Sequence, residues 1–291
     1  MKNQKIAVLL TCYNRKEKTI SCLSSFFEAD IPINYHFDIF LTDDGSTDGT
    51  EETITNLFPS INIIKGSGNL FWAGGMRLAW NTALELNKYN AFLLLNDDVI
   101  LKKDFINNLL TAESFAFNKT NKKGIYSGAT IDKETNKITY GSSKINKNNF
   151  IVKIDLLTPS ERPQECEITN ANILWVDKSV VDEIGILDRK YTHGIADYDY
   201  SLKAHKKGLP VYLAPNICGI CQDDHGKNWK DKTSSLKERI IYLKSPRGLA
   251  YKEYLFYIRR HFPLNLPYSF IMLWMKTLFP FVWDRLKKEE A

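Results

Sequence analysis

Aspartates stand side by side at Asp43-Asp44 and Asp97-Asp98, and one residue apart at Asp197 and Asp199. Neighbouring carboxylates repel, so a fold that keeps them charged needs a cation or several hydrogen-bond donors close by. A hard divalent ion such as Mg2+ or Mn2+, which also binds phosphate oxygens, meets that need. The pair in Asn96-Asp97-Asp98 is the best placed for one. It follows Ala91-Phe-Leu-Leu-Leu95, a short apolar run without alternation, which suits a strand covered on both faces. Asn-Asp-Asp is also ordinary turn punctuation, and taken alone it reads slightly better as a turn.

The surrounding elements shift that balance. Ile6 to Leu10 reads as a first buried strand running into Thr11-Cys-Tyr-Asn-Arg15, and Glu17 to Phe27 has helical spacing. Phe37 to Thr42 reads as a second strand, ending at Asp43-Asp44-Gly-Ser-Thr-Asp48. There Gly45 permits a tight turn, and Ser46 or Thr47 can cap a helix beginning near Gly49. Ile61 to Ile64 is a third strand. The glycine-rich stretch Gly66 to Gly75 follows, then a helix from Met76 to Leu86. Strands alternating with helices form a doubly wound, Rossmann-like and mostly parallel sheet. Parallel strands place their carboxyl ends on one edge, where ligands bind. Thr11, Asn14, Asp43, Asp44, Asp97 and Asp98 therefore converge. Asp44 is suited to accept from a base or ribose, Gly74 and Gly75 to let backbone approach a ligand, and Arg77 to pair with phosphate.

Beyond residue 100, Lys119 to Arg162 is polar, with short β-like pieces that suit a small antiparallel insertion. Ile173 to Val176 and Pro210 to Ala214 read as further strands. Asp197 and Asp199 straddle a helix start, where the helix dipole alone favours acids.

Composition bounds the function. The chain has 291 residues, 44% hydrophobic and 25% charged, which fits one large domain or two intimate ones. A net charge of +5 does not call for a nucleic-acid partner, though a basic face suits phosphates or an anionic membrane. Five scattered cysteines, an odd number, argue against a disulfide framework. Cys218-Gly-Ile-Cys221 lacks a second ligand pair for zinc and reads as packed thiols. Ile6 to Leu10 is too short for a signal-peptide core, which points to a reducing, cytoplasmic setting.

Taken in order, Ala7 to Asn14, Thr42-Asp-Asp-Gly-Ser-Thr-Asp48, Asn69-Leu-Phe-Trp-Ala-Gly-Gly75, Asn96-Asp-Asp98 and Ala196-Asp-Tyr-Asp-Tyr-Ser-Leu-Lys-Ala204 resemble the inverting nucleotide-sugar glycosyltransferases of glycosyltransferase family 2. The third motif looks most like the rhamnosyltransferase-like branch that builds bacterial surface polysaccharides. The resemblance implies a GT-A fold, α/β, with a small antiparallel insertion and C-terminal helices. On this reading residues 1–235 form the catalytic domain, with 1–100 the nucleotide-binding half and 101–235 the acceptor half, and residues 236–291 form a helical segment. The implied donor is a UDP- or dTDP-linked sugar. The implied acceptor is a glycan or a polyprenyl-diphosphate-linked glycan.

The implied roles follow position by position. Thr11 and Asp44 contact the nucleotide, Asp97 lies near the ribose or diphosphate, and Asp98 is the metal ligand. Asp197 is the general base, with Asp199 the alternative. The family's Glu before that base is Ala196 here. The family often carries a metal-binding His after the last strand. That place falls near Cys221, the nearby histidine is His225, and position alone does not give it the role. A nucleotidyltransferase would want glycine directly after the first strand, and Thr11 to Arg15 has none. An inactive glycan-binding scaffold is favoured by Ala196 and disfavoured by the retained acids.

From Leu236 the chain turns basic and aromatic. Pro267 to Trp283 is strongly apolar, but Lys276 and Pro280 interrupt it. The uninterrupted length falls short of the ~20 residues that span a bilayer. This segment suits either an interfacial amphipathic helix or packing on the catalytic domain or a second subunit, so a peripheral membrane location and a homodimer are both expectations.

Overall fold

Side chains on the first strand alternate between two apolar layers, as a strand buried on both faces requires. In the computed structural model, which describes residues 3–86, 88–146, 152–222 and 234–281, that strand is β1 (Gln4–Cys12). It is flanked by β2 (Tyr35–Asp43) and β4 (Ala91–Leu95), both parallel to it. Beyond β2 lies β3 (Asn62–Lys65), also parallel. On the other side β12 (Ile173–Asp177) runs antiparallel to β4 and to β6 (Ile125–Ile131). The last strand, β13 (Val211–Ile220), runs parallel to β6. Short strands β5 (Ile100–Leu101), β7 (Ile138–Tyr140) and β10 (Gln164–Glu165) complete a ten-stranded, mostly parallel sheet. A separate three-stranded antiparallel sheet is made by β8 (Ser142–Asn146), β9 (Lys153–Leu156) and β11 (Ile168–Thr169). This is the small antiparallel insertion expected between Lys119 and Arg162.

Helices cover both faces. Ile6, Val8, Leu10, Leu93 and Leu95 pack with α1 (Lys16–Phe27) and α4 (Phe105–Thr120), and α2 (Thr50–Leu57) adds Ile54. Ala7, Leu9, Phe40, Phe92 and Leu94 pack with α3 (Phe71–Glu85), α5 (Lys178–Ile184) and α6 (Ala196–Lys206). All five residues of β4 are buried. Each large one contributes about 1.5–3 kcal/mol by leaving water, which fixes the strand that carries Asp97 and Asp98.

The chain ends in α7 (Leu236–Lys244), α8 (Tyr251–His261) and α9 (Leu266–Leu278). Tyr257 and Ile258 of α8 sit in the same apolar layer as α3 and α6, so this segment packs on the sheet domain. On α9, Ser269, Leu273 and Thr277 are buried while Phe270, Ile271, Met275 and Leu278 are exposed. Among the described residues no helix is long and apolar enough to cross a membrane.

Two helix starts differ from the sequence reading. The cap of α2 comes from Asp48, whose carboxylate accepts from the Thr50 N–H at 3.1 Å, and not from Ser46 or Thr47. The other carboxylate oxygen of Asp48 accepts from the Lys16 N–H at 3.0 Å, so one side chain caps two helices. Helix α3 begins at Phe71, five residues before the expected Met76. Its early start is supported from another loop. Asp44 Oδ2 accepts from the N–H groups of Leu70 and Phe71 at 2.8 and 3.1 Å, donors that a helix start leaves without partners. A single-sequence reading has no means to see a cap that lies 26 residues away.

Candidate active site

The loops after β1 and β2 interlock. Asn14, at φ 51°, accepts from the Thr47 N–H at 2.7 Å, and its own N–H donates to Ser46 Oγ at 2.9 Å. Asp43 accepts from the Ser46 N–H at 2.8 Å. Asp44, 5% exposed, also accepts from the Gly68 N–H at 2.7 Å. With Leu70 and Phe71 that fills three of the about four accepting positions of a carboxylate. Asp44 therefore holds the Gly66–Phe71 loop and retains one position for a ligand. Gly66 is required beside it, because a Cβ there would sit 2.6 Å from Asp44 Oδ1.

Gly74 and Gly75, expected to admit a ligand, are buried in the first turns of α3. A Cβ on Gly75 would lie 2.1 Å from Thr11 Oγ1, so the missing side chain lets α3 approach β1. Thr11 is 8% exposed for the same reason. Arg77 points away from the phosphate role read for it. Its Nη1 donates to the carbonyls of Asp188 and Tyr191 at 3.1 and 2.8 Å, holding the loop ahead of α6.

At the end of β4, Asp97 and Asp98 share one guanidinium. Arg15 Nη1 is 3.0 Å from Asp97 and its Nη2 is 3.0 Å from Asp98. Asp97 is 4% exposed, wedged against α1, where the Thr19 hydroxyl donates to it at 3.4 Å. Burial pushes its carboxyl up to about 7 and Asp98 adds to the rise, while Arg15 and Thr19 pull it down. Asp97 thus acts on the edge through Arg15, since a buried carboxylate takes the partner it can reach. Asp98 stands further out, with 12% of its side chain exposed and Cys221 Sγ 3.7 Å from its Oδ1. Asn96 accepts from Trp72 Nε1 at 2.8 Å, tying α3 to the same strand end.

Asp197 reaches this edge from the other half of the chain. Its Oδ2 accepts from the Ala171 N–H at 3.0 Å and its Oδ1 from the Tyr198 N–H at 2.9 Å. The adjoining Asn172 accepts from the Asn96 N–H at 3.1 Å, and its Nδ2 lies 3.7 Å from Cys221 Sγ, which in turn contacts Asp98. A short bonded path therefore joins Asp197 to the Asp98 edge. Burial pushes the Asp197 carboxyl up to about 6, although backbone N–H groups oppose it. A carboxylate that titrates near working pH is suited to accept a proton.

Asp199, the alternative base, lies in a different environment. It is 1% exposed and accepts from Tyr191 Oη at 2.9 Å and from Arg260 Nη1 at 2.9 Å, and it bonds His261 Nε2 at 2.8 Å. Burial opposes its ionisation, but these donors, His261 first, together hold its carboxyl below the usual range. It fastens α8 to α6 and has no accepting position directed at a reacting group. Sequence reading missed Arg15, Arg260 and His261 because their partners lie 61 to 83 positions away, and nothing local marks them.

His193 and Arg247 were also not singled out. The Trp72 N–H meets His193 Nδ1 at 3.4 Å. Arg247 stacks over the rings of Phe71 and Tyr13 at 5.6 and 6.0 Å, which brings the C-terminal segment to the loop after β1 and the start of α3. His225 lies outside the described residues.

The donor set at Asp98 fits a divalent ion in one specific way. Among the described residues no three His, Cys, Asp or Glu side chains gather to hold a metal by themselves. Asp98 offers one hard carboxylate at the open edge, and such ions commonly bind through one or two carboxylates plus substrate phosphates.

Residues 7–146 match the family "Glycosyl transferase family 2". Among solved structures, the chain is similar to the mannosyltransferase PcManGT from Pyrobaculum calidifontis in complex with GDP-Man and Mn2+. The two are 14% identical, the match covers 96% of this chain and 71% of that one, and the TM-score is 0.55. At that identity the likeness concerns the fold. A comparison with curated proteins gives no match. Residues 7–146 thus match glycosyl transferase family 2, and the chain as a whole has a GT-A-like fold.

Proposed function

We propose that this chain, whose residues 7–146 match glycosyl transferase family 2, moves a hexosyl or deoxyhexosyl group from a nucleoside-diphosphate sugar to a glycan hydroxyl, with inversion at the anomeric carbon. The observation that carries the reading is Asp197, a carboxylate raised to about 6 and held at the edge that also carries Asp98. The acceptor hydroxyl attacks one face of the anomeric carbon and loses its proton to Asp197 as the diphosphate leaves from the other. Asp44 and the interlocked Asn14 and Asp43 loops shape the nucleotide cradle, and Arg15 adds positive charge beside Asp98. Asp98 is the residue that would hold a divalent ion. Such an ion, when bound, offsets charge gathering on the leaving diphosphate.

The test is release of nucleoside diphosphate from a panel of UDP-, dTDP- and GDP-sugars, with Mn2+, with Mg2+ and with chelator, plus a lipid-linked glycan acceptor. Turnover of at least one donor that falls on chelation is expected. Formation of a sugar nucleotide from sugar phosphate would instead make the protein a nucleotidyltransferase, and no turnover of any donor would leave a binding protein.

A role in bacterial surface polysaccharide synthesis, on a rhamnosyltransferase-like substrate, is supported by the Asn69–Gly75 motif. The outward face of α9 supports a peripheral place on the membrane where lipid-linked acceptors reside. Phe270 and Ile271 there are 47% and 56% exposed. Wild-type protein should sediment with anionic phospholipid vesicles, and the Phe270→Glu, Ile271→Glu double variant should not. Equal sedimentation of both would count against membrane docking. A concentration-dependent dimer lost in the same variant would assign the face to a second copy.

A further inference from the structure

The acid pair at the end of β4 is balanced from within the chain, by a residue in an unusual place. Arg15 stands at the N-cap of α1, a position that favours Ser, Thr, Asp or Asn. Its side chain makes no capping bond there, and the positive end of the helix dipole disfavours a cation. The partners that account for it lie on β4. Its guanidinium spans both acids, with Nη1 3.0 Å from Asp97 Oδ1 and Nη2 3.0 Å from Asp98 Oδ2. Asp97 is 4% exposed, and its second oxygen accepts from the Thr19 hydroxyl at 3.4 Å. That carboxylate is used inside the protein, where it holds Arg15 against Asp98.

Arg15 acts in opposite directions on the two ligands this edge is read to take. A divalent ion on Asp98 shares its carboxylate with a guanidinium. Like charges within a few ångströms, at the effective dielectric of a protein surface, weaken binding by about tenfold or more. A diphosphate is attracted by the same guanidinium, and its oxygens offset the repulsion between Arg15 and the ion. The surroundings add to this field. Arg247 reaches the loop after β1 at the Tyr13 ring, 6.0 Å away. Burial holds the His193 ring below its ordinary value, and Arg247 and Arg15 press in the same direction while Glu253 opposes them. A bare cation therefore approaches Asp98 against two arginines and a helix N-terminus.

We propose that Arg15 couples the two ligands of this edge: it disfavours a divalent ion alone and favours a diphosphate, so that Asp98 takes up the ion together with the nucleotide and not ahead of it. The inference rests on the transferase reading and goes beyond it, because it gives the edge a binding order set by one residue.

Mn2+ is titrated without nucleotide into wild type, Arg15→Gln, Arg15→Lys and the Arg15→Gln, Asp98→Ala double variant, with free ion read by electron paramagnetic resonance. UDP, dTDP and GDP are titrated into the same proteins in chelator, read by calorimetry. Arg15→Gln should bind Mn2+ about tenfold more tightly than wild type, and nucleoside diphosphate about tenfold more weakly. A damaged fold would weaken both, so the opposite signs separate a charge effect from a structural one. Arg15→Lys, which keeps the charge, should follow wild type, and the double variant should lose the gain in Mn2+ affinity. Mn2+ affinity in Arg15→Gln equal to or below that of wild type, or a gain that persists without Asp98, would overturn the proposal. So would wild type that saturates with Mn2+ alone at low micromolar concentration, a result that needs no variant to fold. Failure of all three nucleotides to bind wild type would count against the transferase reading, while the Mn2+ comparison judges Arg15 separately.

Discussion

Asp197→Asn should lower glycosyl transfer by about 10²- to 10⁴-fold, the usual contribution of a positioned general base. The fold should survive. With its carboxyl raised to about 6, the charged form of Asp197 opposes stability at neutral pH, and the neutral amide removes that opposition while giving up one of the two hydrogen bonds the side chain accepts from backbone N–H groups. The wild-type rate carries the matching signature. A base must be unprotonated, so kcat/KM should climb as pH rises through about 6 and level off above it. Steady-state kinetics of both proteins between about pH 5 and 8 check this. A variant with near-normal transfer, or a wild-type profile flat through that window, would remove Asp197 from the role.

The largest effect on stability should follow from Asp199→Ala. Removing this carboxylate leaves His261 Nε2 and Tyr191 Oη without their buried partner, while Arg260 keeps Asp188 at 2.7 Å. Breaking a buried ion pair from one side costs about 3–5 kcal/mol. The lower end applies here, because 31% of the Arg260 side chain is exposed and water can compensate it. A fall in melting temperature of several degrees is expected, read by calorimetry. Because the Asp199 carboxyl is held below its unfolded value, this contribution is present above the ordinary carboxylate range and is lost as pH falls through the lowered value. Acid should therefore narrow the gap between wild type and variant. Turnover should fall as well, since α8 also positions the loop before Asp197 through Glu253, which accepts from the Thr192 N–H at 2.9 Å. An unchanged melting temperature would mean that α8 is held mainly by its apolar layer.

These expectations show which parts of the molecule a sequence can report. The strands β1, β2 and β4, and with them the convergence of Thr11, Asp43 and Asp98 on one edge, were legible because a doubly covered strand writes its burial locally as an apolar run. The small antiparallel sheet showed instead as short β-like pieces in a polar stretch, and the C-terminal helices as a basic and aromatic change in composition. What stayed hidden depends on contacts between distant residues. Asp44 and Asp48 serve as helix caps from other loops, and Gly75 exists for the approach of α3 to Thr11. Arg77 turned to loop carbonyls, and Asp199 to α8, because a buried charge takes the partners the fold brings to it. The motif order named the acids; only the packing separates the carboxylate that can accept a proton from the one that fastens a helix.

The central claim is a division of labour, in which the strand-edge carboxylates hold the donor and Asp197 handles the proton. Calorimetric titration of a turned-over sugar nucleotide, with Mn2+, into wild type, Asp98→Ala and Asp197→Asn tests it most directly. Donor affinity should be retained in Asp197→Asn and lost, together with its dependence on Mn2+, in Asp98→Ala. Donor binding that survives in Asp98→Ala and disappears in Asp197→Asn would contradict the claim.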